Sequence, residues 1–395
     1  MKRTVGTTVR GIRAPIIKEG DDVVNVVVDS LLISAESENF SLHDRDVLGI
    51  TESFIARAQG NFVSIEDVAT DIDRLFSGDI GLLYPILSRN RFSQILKAIA
   101  MTGKQIYVFL NYPSDELGNS LMVAEEMYEK GINPYTDFLT EEKYRELFGD
   151  YVPHPFTGID YVDLYKGLGI NNNIEIFLSN NPETALKYTK QMLVANVHER
   201  HKTKNILINA GAEKVLCLED IMTEPIDGSG YNREYGLLGS NMATETSIKL
   251  FPRDCKKVVM DIQKILKLKT GKDIEVMVYG DGAFKDPRGR IWELADPVVS
   301  PGYTPGLEGT PNEIKLKFLA DSQGADIPEG DMEAMIKKRI IAKDKGLEDS
   351  TASLGTTPRQ LTDLLGSLCD LTSGSGDKGT PIVLIQKYFD NFATQ

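Results

Sequence analysis

The sequence predicts an α+β fold, a mixed α/β arrangement in two domains, and three observations predict it. Short apolar runs of strand length recur along the chain, and segments with helical apolar spacing alternate with them. The 395 residues, 41% of them apolar, also exceed what a single hydrophobic core usually organises. Taken in order, residues 21–32 are ambiguous: the valines favour strand, yet the same residues fit a buried helix. Residues 46–51 read as a buried strand. Ser64 with Asp67 makes a capping-box-like start for a helix through Phe76, and Phe92, Ile95, Leu96 and Ile99 recur at helical spacing. Strands are expected at 105–111 and 174–180, after which Asn181 and Pro182 open a helix as N-cap and first-turn proline. The run 205–210 reads as another strand. Val258, Ile262, Ile265 and Leu266 mark a helix ending near Gly271, followed by a strand at 274–279. Prolines and glycines punctuate 297–311 and charges crowd 320–350, so both read as surface excursions. Thr357 and Pro358 start a last helix with Leu361, Leu364, Leu365 and Leu368 on one face, before a strand at 381–386. No internal repeat is present.

Charge narrows the function. With 44 basic against 58 acidic side chains the net charge is −14, a surface that repels polyphosphate backbones, so no nucleic-acid partner is expected. No run approaches the ~18 apolar residues of a membrane span, and the basic N-terminus lacks an apolar segment behind it. A cytoplasmic protein is predicted. Cys217, Cys255 and Cys369 are widely spaced, without CxxC spacing, and read as structural free thiols.

Several loops can carry chemistry. The segment from Gly280 through Asp281, Asp286, Arg288 and Arg290 follows a predicted strand and offers both signs of charge. Its carboxylates suit magnesium, and its guanidinium groups suit a phosphate or carboxylate. A solvated turn built from Asp, Gly and Pro fits equally well. Gly374-Ser375-Gly376-Asp377-Lys378-Gly379 satisfies GxGxxG, but it follows a helix and precedes a strand, the reverse of the dinucleotide fingerprint. It is either a phosphate-cradling loop or a connector. The loop from Asn111 to Glu116 leaves a strand where ligands often sit. His154, between two prolines, reads as structural, and His198 with His201 as part of a solvated helix C-terminus. No GxSxG, HExxH, Walker A or paired CxxC motif is present.

Read together, three blocks carry a resemblance. The first is Gly11 to Asp22 with Asp46 to Gly60; the second is Gly236 to Asn241, Leu250 to Arg253 and Thr270 to Lys272, before a strand ending in Asp281. The third is the Leu-rich helix, glycine-rich loop and final strand. Their order resembles the coenzyme F420 gamma-glutamyl ligases. The resemblance implies a discontinuous ligase-like core at 1–77 and 204–296; it assigns no role to 78–203, which are expected to form an inserted α/β region around the acceptor pocket. A charged excursion at 297–350 follows, and 351–395 return to the core.

The implied reaction is GTP-dependent amide formation between a small-molecule carboxylate and L-glutamate through an acyl phosphate, with ATP the other nucleotide and Mg2+ or Mn2+ as metal. A homodimer is also implied. By position in the blocks, Ile12, Arg13, Glu52, Ser53, Arg57, Gly374, Ser375, Gly376 and Asp377 are expected to bind nucleotide. Asp281 and Arg288 are the expected catalytic residues. Two departures matter: Leu238 stands where the family has its first metal-binding aspartate, and Gly374 or Ser375 stands where it has a glutamate in the glycine-rich loop. Either the metal is re-sited onto residues such as Asp227, Asp281 and Asp286, or the family's reaction is lost. Arg89, Asp115, Ser240 and Asn241 are expected to bind substrate. The alternative is a noncatalytic nucleotide- or metabolite-binding protein on the same scaffold.

Overall fold

The structure is a computed structural model that describes residues 4–280, 284–285, 292–293, 299–323, 329–343, 347, 353, 360–372 and 376–394. Among the described residues the architecture is α+β, with two compact units. Unit 1 takes in Met1–Ile55, Asp254–Phe284 and Leu294–Gln395; unit 2 takes in Ala56–Arg253 and Lys285–Glu293.

In chain order the elements begin with β1 (Thr8–Ile12), α1 (Val23–Ser37), β2 (Val47–Thr51) and α2 (Glu52–Ala58). The valines of 21–32 therefore form a helix, started by Asp22, whose side chain accepts the Asn25 N–H. Next come β3 (Phe62–Ser64), α3 (Ile65–Leu75), β4 (Ile80–Leu83), α4 (Phe92–Met101) and β5 (Ile106–Leu110). The expected capping box is present at α3: Ser64 and Asp67 satisfy each other's backbone N–H groups. After these, α5 (Ala124–Glu129), β6 (Leu139–Thr140), α6 (Glu141–Phe148) and α7 (Tyr161–Lys166) lead to β7 (Ile174–Leu178). Asn181 and Pro182 open a 3-10 helix, Pro182–Lys187, before β8 (Gln191–Val194), α8 (Arg200–Asn209) and β9 (Lys214–Cys217).

The run 205–210 is thus the end of a helix, not a strand. Thr203 and Leu207 are its buried residues, one helical turn apart, while Ile208 is half exposed. His198 and His201 correspondingly lie at the N-terminal end of α8, where Glu219 offsets the added positive charge through Arg200 at 2.7 Å and His201 at 3.8 Å.

The rest of the chain forms β10 (Asn241–Thr244), β11 (Ser247–Lys249), α9 (Cys255–Thr270), β12 (Glu275–Gly280), β13 (Phe284–Lys285), β14 (Trp292–Glu293), β15 (Val299–Tyr303), α10 (Leu316–Gln323), α11 (Glu329–Ile341), α12 (Leu361–Thr372) and β16 (Ile382–Gln386). The Pro/Gly-rich stretch expected at the surface supplies β15, an edge strand paired with β12. Pro301 is tolerated there because an edge strand can spare a backbone donor.

Unit 1 is built on the sheet β1-β16-β2-β12-β15. Leu361, Leu365 and Cys369 of α12, spaced four apart, pack on Val47, Met277, Tyr279, Val383 and Ile385. Alternation sends Leu48, Ile50, Val276 and Val278 to the opposite face, where α9 lies with α1 against it. At Gly49 a methyl group would overlap the Sγ of Cys369. Gly49→Ala is expected to destabilise unit 1 by about 1–3 kcal/mol, read as a lower urea midpoint at unchanged slope. The cysteines are free and buried; burial pushes the Cys217 thiol up to about 12, which keeps it protonated and unreactive at neutral pH.

Unit 2 holds the sheet β6-β7-β5-β4-β8-β9, parallel except for β6, and a smaller sheet β10-β11-β3. One face of the larger sheet packs Leu82, Val108 and Leu193 under α3, α4 and α7; the other packs Leu83, Phe109, Met192 and Val194 with Leu207 of α8. No helix among the described residues is long and apolar enough to cross a membrane.

Candidate active site

In unit 1, β1, β2 and β12 all finish at one edge of the sheet, where β16 begins. The register pairs Ile12 with Ile382, Ile50 with Ile382, and Thr51 with Tyr279. Ile12 and Arg13 therefore leave β1 beside the turn carrying Gly376 and Asp377, and Glu52 with Ser53 opens α2 directly after β2. Two backbone bonds tie these segments: Thr51 N–H to the Pro381 carbonyl at 3.0 Å and Ala14 N–H to the Gly379 carbonyl at 3.3 Å. Gly11 permits the approach, because a Cβ there would stand 3.2 Å from Cβ of Thr380. The Thr380 hydroxyl is shielded from solvent without a hydrogen-bond partner among the described residues. Arg13 is exposed and Glu52 buried.

Six residues expected to bind nucleotide are thus brought to one edge from opposite ends of the chain. Thr380 was not anticipated; its place between the glycine-rich loop and the strand is the only sequence signal for it. Asp281, Asp286, Arg288, Gly374 and Ser375 lie outside the described residues. Arg57, exposed in the last turn of α2, belongs to unit 2.

The residues expected to bind substrate surround the loop leaving β4 in unit 2. Asp115 braces that loop: Oδ2 accepts the Leu87 N–H at 2.7 Å and Asn119 Nδ2 at 2.9 Å, while Oδ1 accepts the N–H groups of Leu117 at 2.9 Å and Asn119 at 2.8 Å. Burial raises its carboxyl above the ordinary value, and the four donors offset part of that rise. The Tyr165 hydroxyl accepts the Ser88 N–H at 2.9 Å and donates to the Ile86 carbonyl at 2.6 Å. Met242 N–H donates to the Asn90 carbonyl at 2.8 Å, which lays the start of β10, and hence Asn241, beside the same loop. Ser240 is buried, its hydroxyl without a partner among the described residues, and Arg89 is exposed.

His154 is buried in the turn between its two prolines. Its Nδ1 accepts the N–H groups of Phe156 at 3.2 Å and Thr157 at 3.1 Å, so the ring proton resides on Nε2. Burial holds this imidazole below its ordinary range, against a smaller upward pull from Asp115.

The glycine block of the resemblance folds around Leu237 and Leu238, which enter the core of unit 2. Gly236 and Gly239 flank them at φ 51 and 71, and a Cβ on either would collide with the Ile221 carbonyl or the Phe251 ring. Asp227 lies in an exposed turn. Among the described residues no three His, Cys, Asp or Glu side chains group closely enough to hold a metal ion, so these residues alone do not fit a divalent cation.

The structure defines an α+β protein in which strand ends and a glycine-rich loop meet at one sheet edge. The chain belongs to the F420-0:gamma-glutamyl ligase family, whose model matches residues 11–387. No curated protein matches the sequence. The family supports a ligase role.

Proposed function

We propose that the protein is a nucleotide-dependent gamma-glutamyl ligase that uses GTP, with Mg2+ or Mn2+, to join a small-molecule carboxylate to L-glutamate. The observation that carries this reading is the convergence of Ile12, Arg13, Glu52, Ser53, Gly376 and Asp377 at one sheet edge, in a chain of this family. A carboxylate resists attack because its charge is delocalised. Transfer of the γ-phosphoryl group to a carboxylate oxygen gives an acyl phosphate and the nucleoside diphosphate. The amine of L-glutamate then attacks the carbonyl carbon; phosphate leaves and the nitrogen loses a proton. The protein's work in such transfers is positioning and charge stabilisation. Backbone N–H groups of the loop at Gly376 and the guanidinium of Arg13 suit phosphate oxygens.

Arg13→Ala is expected to weaken GTP binding about 10- to 100-fold in calorimetry, the loss of one charge-assisted hydrogen bond. Asp281→Asn is expected to abolish glutamate-dependent nucleotide hydrolysis. If the wild type binds neither GTP nor ATP with either metal, the ligase reading is wrong. A second reading, a noncatalytic nucleotide- or metabolite-binding protein, is favoured by Leu238, an apolar core residue at the family's metal-ligand position. Under that reading Asp281→Asn is silent.

A further inference from the structure

Unit 2 has polar groups that the proposed ligation does not use. Numbered along the chain, its five parallel strands lie in the order third, second, first, fourth, fifth, as β7-β5-β4-β8-β9. The order reverses between β4 and β8. The helix after β4 covers one face of the sheet and the helix after β8 the other, since Leu96 of α4 and Leu207 of α8 enter separate cores. Sheets wound this way take ligands outside the strand carboxyl ends, at the reversal.

Three strands present, at this end, a buried polar atom that has no partner among the described residues. Tyr84 follows β4 at φ 57 and is 6% exposed, its hydroxyl unpartnered. Asn196, two residues past β8, is 5% exposed; its Nδ2 reaches Thr203 of α8 while Oδ1 has no partner. Glu219, just past β9, gives Oε1 to Arg200 at 2.7 Å and leaves Oε2 shielded and unpartnered. All three lie on the α8 face: Tyr84 in the core with Leu207, Asn196 bonded to Thr203, Glu219 bonded to Arg200. Buried polar atoms of native proteins are nearly always paired, so three such atoms at adjacent strand ends mark a place for a hydrogen-bonding group.

The ligand's chemistry follows from what is already satisfied. Glu116, from the loop after β5, accepts the backbone N–H groups of Val197 at 2.5 Å and His198 at 3.0 Å, which removes donors that an anion would use. The orphans are acceptors: an amide oxygen, a carboxylate oxygen and a hydroxyl that also accepts. Glu219 meets Arg200 at 2.7 Å and His201 at 3.8 Å through Oε1 alone, which leaves Oε2 as an acceptor. A primary ammonium brings one positive charge and three N–H donors. Strands lie about 4.8 Å apart, and β8, which Asn196 follows, lies between β4 and β9.

We propose that the carboxyl ends of β4, β8 and β9 form a binding site for the primary ammonium group of a small molecule, held by Tyr84, Asn196 and Glu219. The ammonium has two sources, an amino acid or an aliphatic amine. Calorimetry on the full chain, without nucleotide, with L-glutamate in one arm and 1,4-diaminobutane in the other, separates them. Saturable binding is expected in one arm, with N-trimethylated analogues of the same charge bound at least tenfold more weakly because they lack N–H donors. Tyr84→Phe and Glu219→Gln are each expected to weaken binding at least tenfold. Tyr84→Phe should leave thermal stability unchanged, since the lost hydroxyl had no partner. Absence of binding in both arms overturns the proposal, as does unchanged affinity in both variants. L-glutamate is also the acceptor of the proposed ligation, so binding in that arm supports this site only if Tyr84→Phe and Glu219→Gln weaken it, whereas binding of 1,4-diaminobutane is independent of the ligase reading.

Discussion

Arg145→Ala is expected to destabilise unit 2 by about 3–5 kcal/mol, the cost of stranding a buried carboxylate. Arg145 of α6 grips Asp160 with both ends of its fork, Nη1 to Oδ2 at 2.6 Å and Nη2 to Oδ1 at 3.1 Å, and Nη2 also meets Asp163 at 2.6 Å. Asp160 caps α7 through the N–H groups of Val162 and Asp163 and holds the Val152 N–H as well. One carboxylate therefore joins α6, the turn before His154 and the start of α7. Without the guanidinium it remains buried and ionised. The melting temperature should fall by roughly 6–20 °C. Arg145→Lys, which keeps the charge but not the fork, should recover only part of the loss.

The same pair sets an acid limit. Burial alone would raise the Asp160 carboxyl, but the hydrogen bonds from Arg145, Val152 and Asp163 outweigh it and hold the group below its ordinary value. A carboxyl depressed in the folded state contributes stability that is fully present above the unfolded value near ~3.9 and is lost as pH falls through the folded one. Arg145→Ala removes a cause of the depression, so its acid loss should begin at higher pH. Urea midpoints measured from about pH 6 down to about pH 3 check this: parallel curves for wild type and variant would mean that the pair does not set the limit.

What the sequence made legible was what local chemistry decides. The α3 capping box lies within four residues, and β2, β5, β7, β12 and β16 are apolar runs long enough to stand out. The strands β4, β8 and β9 have four residues each and no periodicity to read, yet they carry the reversal of strand order in unit 2. At 205–210 the isoleucines suggested strand, but the burial of Thr203 and Leu207 decides for helix, and that depends on the sheet beneath. The unit 1 site was legible only through the resemblance. Nothing local in Arg13 or Asp377 announces that β1 and β16 are neighbours; pairing across nearly the whole chain puts them together.

Leu238→Asp is expected to cost about 3 kcal/mol or more and to confer no metal binding. By the resemblance, this substitution would place an aspartate at an expected metal-ligand position. By structure it inserts a carboxylate into the core that holds Leu237, Leu250, Ile248 and Ile221. Leu238 is only 8% exposed, and the positive φ of Gly236 and Gly239 fixes the turn that drives both leucines inward. An aspartate there must lose its hydration or turn outward against that backbone. The variant should melt well below wild type with or without manganese. Leu238→Met, similar in volume and apolar, should stay within about 1.5 kcal/mol of wild type. Manganese raising the melting temperature of Leu238→Asp by several degrees would instead mean that this position can still hold a metal ligand and that the leucine merely fills it.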